Sequence, residues 1–227
     1  MYRSTINQKT GKIINCNELC ELGKNNKCLT CNEKIGYESQ CGSCNEGYKL
    51  VNGKCKIIEN SFIGIYNVSS IDNFTYIMSA GHNNIKLSDF DMYVNGTKVY
   101  PYIEHRSTNW LEEDYVVYKF PNLGKYEVKI IFNKTLTNMK KLFADCYDLI
   151  SIEFNEAFDT SHVLSMFYMF ASCDSLEKIN VSSFNTSLVG NMQSMFAYLD
   201  SLTSLDLSNF DTKNVDFMQC MFSNLNN

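Results

Sequence analysis

The chain has 227 residues, 44% of them hydrophobic, and only two prolines, so it can fill one to three cores and has little material for long extended linkers. Its net charge of −5 disfavours nucleic acid, whose phosphates demand clustered Lys and Arg. No run of about 18 apolar residues occurs, which excludes a membrane-spanning helix.

The amino-terminal stretch is set apart by its cysteines. Cys16, Cys20, Cys28, Cys31, Cys41, Cys44 and Cys55 are spaced C-x3-C-x7-C-x2-C-x9-C-x2-C-x10-C. Few large aliphatic side chains lie among them, so an apolar core cannot hold this segment together and cross-links must substitute. Disulfides among these seven are one reading. A tetrahedral zinc on Cys28, Cys31, Cys41 and Cys44 is the other, although the gap of nine residues between the two pairs is shorter than the usual ribbon spacing of about 15 to 20. Seven is odd, and the opening "MYRSTINQKTGKIINC" has no apolar run of the signal-peptide kind. Both observations point to a fragment of a longer product. In "CGSCNEGYKLVNGKC", the glycine and aromatic after the cysteine pair and the glycine before the last cysteine resemble the tight turns of growth-factor-receptor and EGF-like modules. That resemblance favours disulfides, without the EGF calcium consensus and with no metal.

From about Lys56 to Thr135 no repeat is visible. "KYEVKIIF" alternates Tyr126, Val128, Ile130 and Phe132 as a half-buried strand does. "DYVVYKF" precedes it across "PNLG", a turn-forming tetrapeptide, and "DMYVNGTKVY" announces a hairpin at Asn95-Gly96. The expectation is a small β-sandwich. Tyr100, Tyr102 and Trp110 belong in its core or along its edge, with a sugar-stacking platform as the alternative.

The remainder repeats. Phe143, Phe170, Phe196 and Phe222 are 27, 26 and 26 residues apart, and Met139, Met166, Met192 and Met218 show the same intervals. The period is 26, with one extra residue before Phe158. "SLTSLDL" places Leu202, Leu205 and Leu207 as L-x-x-L-x-L, whose last two leucines share one side of a short strand. Val189, Met192, Met195, Phe196 and Leu199 fall at intervals of three and four, which predicts a helix with one apolar stripe. "FDT" and "FNT" at Phe158, Phe184 and Phe210 stand between the two patterns and supply candidate helix caps. Each copy therefore reads strand, turn, helix. Cys146 and Cys173 share the position held later by Leu199 and Leu225, as buried small apolar residues would.

The paired signatures "NMQSMF" and "SLTSLDLSNFDTKNV" resemble the BspA-type leucine-rich repeat of surface proteins, over about Leu136 to Asn227. A Phe stands where the common repeat has Asn or Cys, which implies an aromatic ladder in place of an asparagine ladder. The resemblance implies surface recognition or adhesion and carries over no catalytic residue.

The expected fold class is thus mixed α/β in three modules: a disulfide-rich module at 1–56, a β-sandwich-like module at 57–135 and a leucine-rich-repeat solenoid at 136–227. The last copy stops without a following strand, so further repeats are expected beyond Asn227. His82, His105 and His162 lie in different segments, and Glu112, Glu113 and Asp114 read as a surface loop beside Trp110. With no nucleophile, phosphate-loop or metalloprotease motif, the chain reads as a non-enzyme without cofactor. The expected function is a secreted or cell-surface protein that binds a protein or extracellular-matrix partner. A carbohydrate-binding module and an intracellular zinc-bound scaffold are the alternatives. The binding face is placed on outward strand positions, with Glu153, Asn180 and Asp206 in one row beside Ser151, Lys178 and Ser204. Six N-x-[ST] sequons, headed by Asn67, Asn73, Asn95, Asn133, Asn180 and Asn185, are close to the number chance would supply.

Overall fold

The computed structural model describes residues 59–71, 73–107 and 112–225 with their side chains, and elsewhere only the backbone of strand segments. Two compact units form, Met1–Ile58 and Glu59–Asn227. In the first, three antiparallel pairs are described: β1 (Ser4–Ile6) with β2 (Ile13–Asn15), β3 (Cys28–Asn32) with β4 (Gln40–Cys44), and β5 (Tyr48–Val51) with β6 (Lys54–Ile57). The seven cysteine side chains of this unit lie outside the described residues, and so does Trp110.

The second unit starts with β7 (Asn60–Val68), in which Phe62, Gly64, Tyr66 and Val68 face inward at a period of two. Gly64 is required there, because a Cβ would come within 2.8 Å of the Tyr66 ring and 3.0 Å of Leu149. β8 (Thr75–Ser79), β9 (Phe90–Val94), β10 (Thr97–Val99), β11 (Tyr102–Thr108), β12 (Leu111–Tyr118) and β13 (Gly124–Phe132) follow. The β9–β10 hairpin turns at Asn95 (φ 47°) and Gly96 (φ 77°), the two positive angles a type I′ turn needs. "PNLG" joins β12 to β13, yet the two strands enter different sheets.

One sheet has the order β11-β12-β8. The other runs β10-β9-β13-β7-β14-β15, where β14 (Leu149–Phe154) and β15 (Lys178–Asn180) come from the first two repeat copies. β14 is antiparallel to β7 and parallel to β15, so β7 hands the sheet over from the sandwich to the repeats. One core continues through both parts, from Phe62 to Met221.

The expected α/β class and the leucine-rich-repeat solenoid are corrected here. Among the described residues there is no α-helix, only the 3-10 turns Gly81–Asn83 and Leu87–Asp89, and residues 59–225 make one β-rich fold. The third copy's L-x-x-L-x-L also forms no assigned strand. The disulfide-rich expectation gains nothing from the described side chains, whose three cysteines, Cys146, Cys173 and Cys220, are all free.

The apolar spacing of a helix is present, but another backbone satisfies it. Each copy carries two left-handed residues four apart: Lys141 and Asp145, Tyr168 and Ser172, Ser194 and Tyr198, Cys220 and Asn224. A helix would send every amide to the carbonyl four residues back. Here Met195 and Ala197 donate three residues back, to Met192 and Ser194, while Met192, Ser194, Phe196 and Tyr198 donate to Phe217, Gln219, Met221 and Ser223 of the next copy. The same four bonds join the first copy to the second and the second to the third. A parallel ladder between identical neighbours has thus displaced the helix, a tertiary override of local propensity.

The expected capping residues serve the ladder as well. Thr160 Oγ1 accepts from the Asn185 amide and donates to the Asn185 carbonyl, and Thr186 does the same with Asp211. The Phe rings stack as an aromatic ladder: Phe143–Phe170 at 5.4 Å, Phe170–Phe196 at 5.7 Å and Phe196–Phe222 at 6.0 Å, with interplanar angles of 8°, 7° and 4°. Cys146 and Cys173 are buried beside it, where loss of water pushes both thiols up and keeps them neutral.

Candidate binding surfaces

Strand pairing brings the expected polar row together over two copies. Parallel register sets Ser151 opposite Lys178 and Glu153 opposite Asn180, and Glu153, Lys178 and Asn180 are exposed. Ser204 and Asp206 are exposed too, although no strand pairing carries the row into their copy. Two of these side chains also have local work. Asn180 Oδ1 accepts from the Ser182 amide and hydroxyl, and Asp206 Oδ1 accepts from the Ser208 amide, a contact that holds its carboxyl below the usual range. Glu153 has no such duty and is the row's available carboxylate.

A second surface lies on the sandwich. Tyr100 and Tyr102 are 79% and 59% exposed, outside the core, and Tyr102 stands on β11, an edge strand, while Phe74, which the sequence pattern did not single out, is 43% exposed beside them. Phe74 and Tyr102 are in ring contact at 6.0 Å. A cleft of about 490 Å³ lies on the same sheet, lined by Ala80, Ile85, Leu87 and Ile103 with Lys86 and Asp114 at its polar side. That volume falls in the range of small-molecule sites. Asp114 Oδ1 is 2.7 Å from His105 Nδ1.

The expected surface loop at Glu112–Asp114 is instead part of β12, and Glu113 is fully buried. Its Oε1 accepts from Ser79 Oγ at 2.5 Å. Its Oε2 has His82 Nε2 at 2.9 Å and Lys141 Nζ at 3.8 Å, but no aligned hydrogen bond. The group sits where the sandwich meets the first copy, whose Leu142 and Lys140 carbonyls accept from the Ser79 amide and from Asn83 Nδ2. Strand parity is the signal that would have found it, because Glu113 shares a face with the buried Tyr115 and Val117.

Burial pushes the His82 imidazole below its ordinary value of 6.5, and Lys140 and Lys141 add to the effect, against an upward pull from Glu113. The downward push wins because the ring loses water while facing two cations. The unfolded chain therefore binds this proton more readily than the folded one, so folding stability is complete above about pH 6.5 and declines as pH falls from there through the lowered folded value. Thermal melts between pH 7.5 and about pH 5 should show this loss, and His82→Gln should flatten that part of the profile.

His162 is exposed at the turn, 3.7 Å from Asp159. Lys140 and Lys141 belong to no helix face: Lys140 lies over the Phe167 ring and Lys141 adopts φ 56°. No group of His, Cys, Asp and Glu suited to a metal occurs among the described residues, and no described helix is long and apolar enough to cross a membrane.

Residues 133–227 match a family model described as a Mycoplasma protein of unknown function, DUF285. No curated protein and no solved structure matches the chain. These findings correct the resemblance to a leucine-rich-repeat surface protein preceded by a growth-factor-receptor or EGF-like module. The repeat segment matches a different description and lacks the helix that a strand-turn-helix copy requires, and no comparison supports the EGF-like reading of the cysteine segment.

Proposed function

We propose that the chain is a non-catalytic recognition module, secreted or held at a cell surface, that binds a protein or matrix partner through the outer face of its repeat sheet. The observation that supports this reading is the register of β14 and β15, which lines up Glu153 with Asn180 and Ser151 with Lys178 on an exposed face. The sheet behind that face is anchored to the sandwich through β7, so the row is presented on a stiff support and little ordering entropy is lost on binding. Glu153→Lys combined with Asp206→Lys should weaken attachment to cells or matrix about tenfold or more while lowering the melting temperature by no more than about 4 °C, since both carboxylates are solvent-exposed and only Asp206 gives up a hydrogen bond, to the Ser208 amide.

A carbohydrate ligand is the second reading, and the exposure of Tyr100, Tyr102 and Phe74 favours it. If the double charge reversal leaves attachment unchanged and Tyr102→Ala abolishes it, the functional face is the sandwich. Glycan-array binding by the intact chain is the direct measurement.

A further inference from the structure

One face of the β11-β12-β8 sheet reaches past the core it covers. Val116 stands opposite Ile103 on one side and Met78 on the other, and Asp114 stands opposite His105, so all five share this face. Val116 and Met78 are fully buried in the main core, whereas Ile103 is 40% exposed and Asp114 keeps 42% of its side-chain surface in water. Residues 80–88 form the other wall, and the cleft of about 490 Å³ is the space between them. Ala80 and Ile85 are buried there, and Leu87 and Ile103 line it with much of their surface open.

That second wall has no strand, yet it is held in place from behind. Lys134 Nζ donates to the Asn84 carbonyl at 2.9 Å and pairs with Asp89 at 2.6 Å. Asn133 Nδ2 donates to the Ser88 carbonyl at 2.8 Å, and Asn138 Nδ2 to the His82 carbonyl at 3.2 Å. A ligand would therefore meet a cleft already shaped, with little ordering cost.

Two opposite charges line it, the Asp114 carboxylate and the Lys86 ammonium. Asp114 Oδ1 is 2.7 Å from His105 Nδ1, but a carboxylate has about four acceptor sites, so capacity remains for a ligand's donors. Asp89 already takes Lys134 Nζ and the Lys86 amide, which leaves the exposed Lys86 ammonium available to an anion. These walls select by exclusion. A sugar stacks on rings, and no ring lines the cleft. A phosphate or a fatty acid would be repelled by Asp114, and a simple amine by Lys86.

We propose that the cleft binds a short aliphatic peptide with both termini free, about two or three residues long as suits a cavity of this volume. Its ammonium pairs with Asp114, its carboxylate with Lys86, and its side chains cover Ile85, Leu87 and Ile103. The inference is independent of the polar row, which lies on the other sheet, and of Tyr102, which alternation places on the opposite face of β11 from Ile103.

The test is calorimetric titration of the intact chain with the dipeptide Leu-Ala, for which saturable binding with a dissociation constant below about 200 µM is expected. N-acetyl-Leu-Ala, which lacks the ammonium, and Leu-Ala amide, which lacks the carboxylate, should each bind about tenfold more weakly. Asp114→Asn should weaken Leu-Ala about tenfold yet leave N-acetyl-Leu-Ala as it was, and Lys86→Gln should show the same pattern with the amide. Both side chains are solvent-accessible, so the variants should fold as the parent does. Ile103→Trp, at a half-open position on an edge strand, should fill the cleft and abolish binding, while Tyr102→Ala should leave it unchanged. Absence of saturable binding, equal binding of the blocked peptides, or binding that survives both Asp114→Asn and Lys86→Gln overturns the proposal. So does loss of binding in Tyr102→Ala, which would move the site to the sandwich aromatics.

Discussion

Phe170→Ala is expected to lower stability by about 3–5 kcal/mol, the range for removal of a buried phenylalanine, and to lower the melting temperature by roughly 6–20 °C for a unit of this size. Phe170 is fully buried and stacked on both faces, by Phe143 at 5.4 Å and Phe196 at 5.7 Å. The gap it leaves cannot collapse easily, because the flanking copies are held apart by ladders of amide bonds on either side of the ring. Phe222→Ala removes the same atoms from a ring that is half exposed and stacked on one face, so its cost should stay below about 1.5 kcal/mol. Thermal or denaturant melts of the two variants measure the contrast. Equal losses would show that the ladder does not act as a stacked column.

Glu113→Ala should be the second large loss, about 2–4 kcal/mol. Removal of one member of a buried ion pair typically costs about 3–5 kcal/mol, and the figure is reduced because the lowered His82 is neutral at neutral pH and Lys141, 3.8 Å away, keeps 21% of its side-chain surface in water. The variant strands Ser79 Oγ, which is fully buried and has lost its acceptor. Glu113→Gln keeps an acceptor for Ser79 and should recover more than half of the loss. Because this carboxylate joins β12, β8 and the first copy, amide exchange should rise at Ser79 and Ala80 in Glu113→Ala before it rises in the third copy. Exchange that rises evenly through the unit would mean that Glu113 contributes only to global stability.

The fold and the surfaces were legible to different depths, and the residues show why. The period of 26, the recurrence of Phe143, Phe170 and Phe196, the Asn95-Gly96 hairpin and the inward parity of β13 are properties of spacing and of side-chain size, which a single sequence records in full. The pairing of Glu153 with Asn180 followed from the same spacing, since equal positions in successive copies meet whenever copies stack in parallel. Among the described residues no helix forms in the repeats, because intervals of three and four constrain only where side chains emerge. Val189, Met192, Met195, Phe196 and Leu199 emerge on one side from a chain of turns as readily as from a helix.

Sequence by itself therefore determined that this chain repeats, at what period, and which side chains meet between copies. Tertiary structure alone decided where the amides go. A residue such as Ser194 adopts φ 53° because the Gln219 carbonyl lies within reach of its amide in the neighbouring copy, and that carbonyl is 25 residues away in sequence. Likewise, strand parity turns Glu113 inward, but its charge is tolerated there because Ser79 and His82 from one segment and Lys141 from another converge on it. Local pattern cannot report a partner supplied by the fold, and a buried charge or a left-handed backbone is stable only when that partner is already in place.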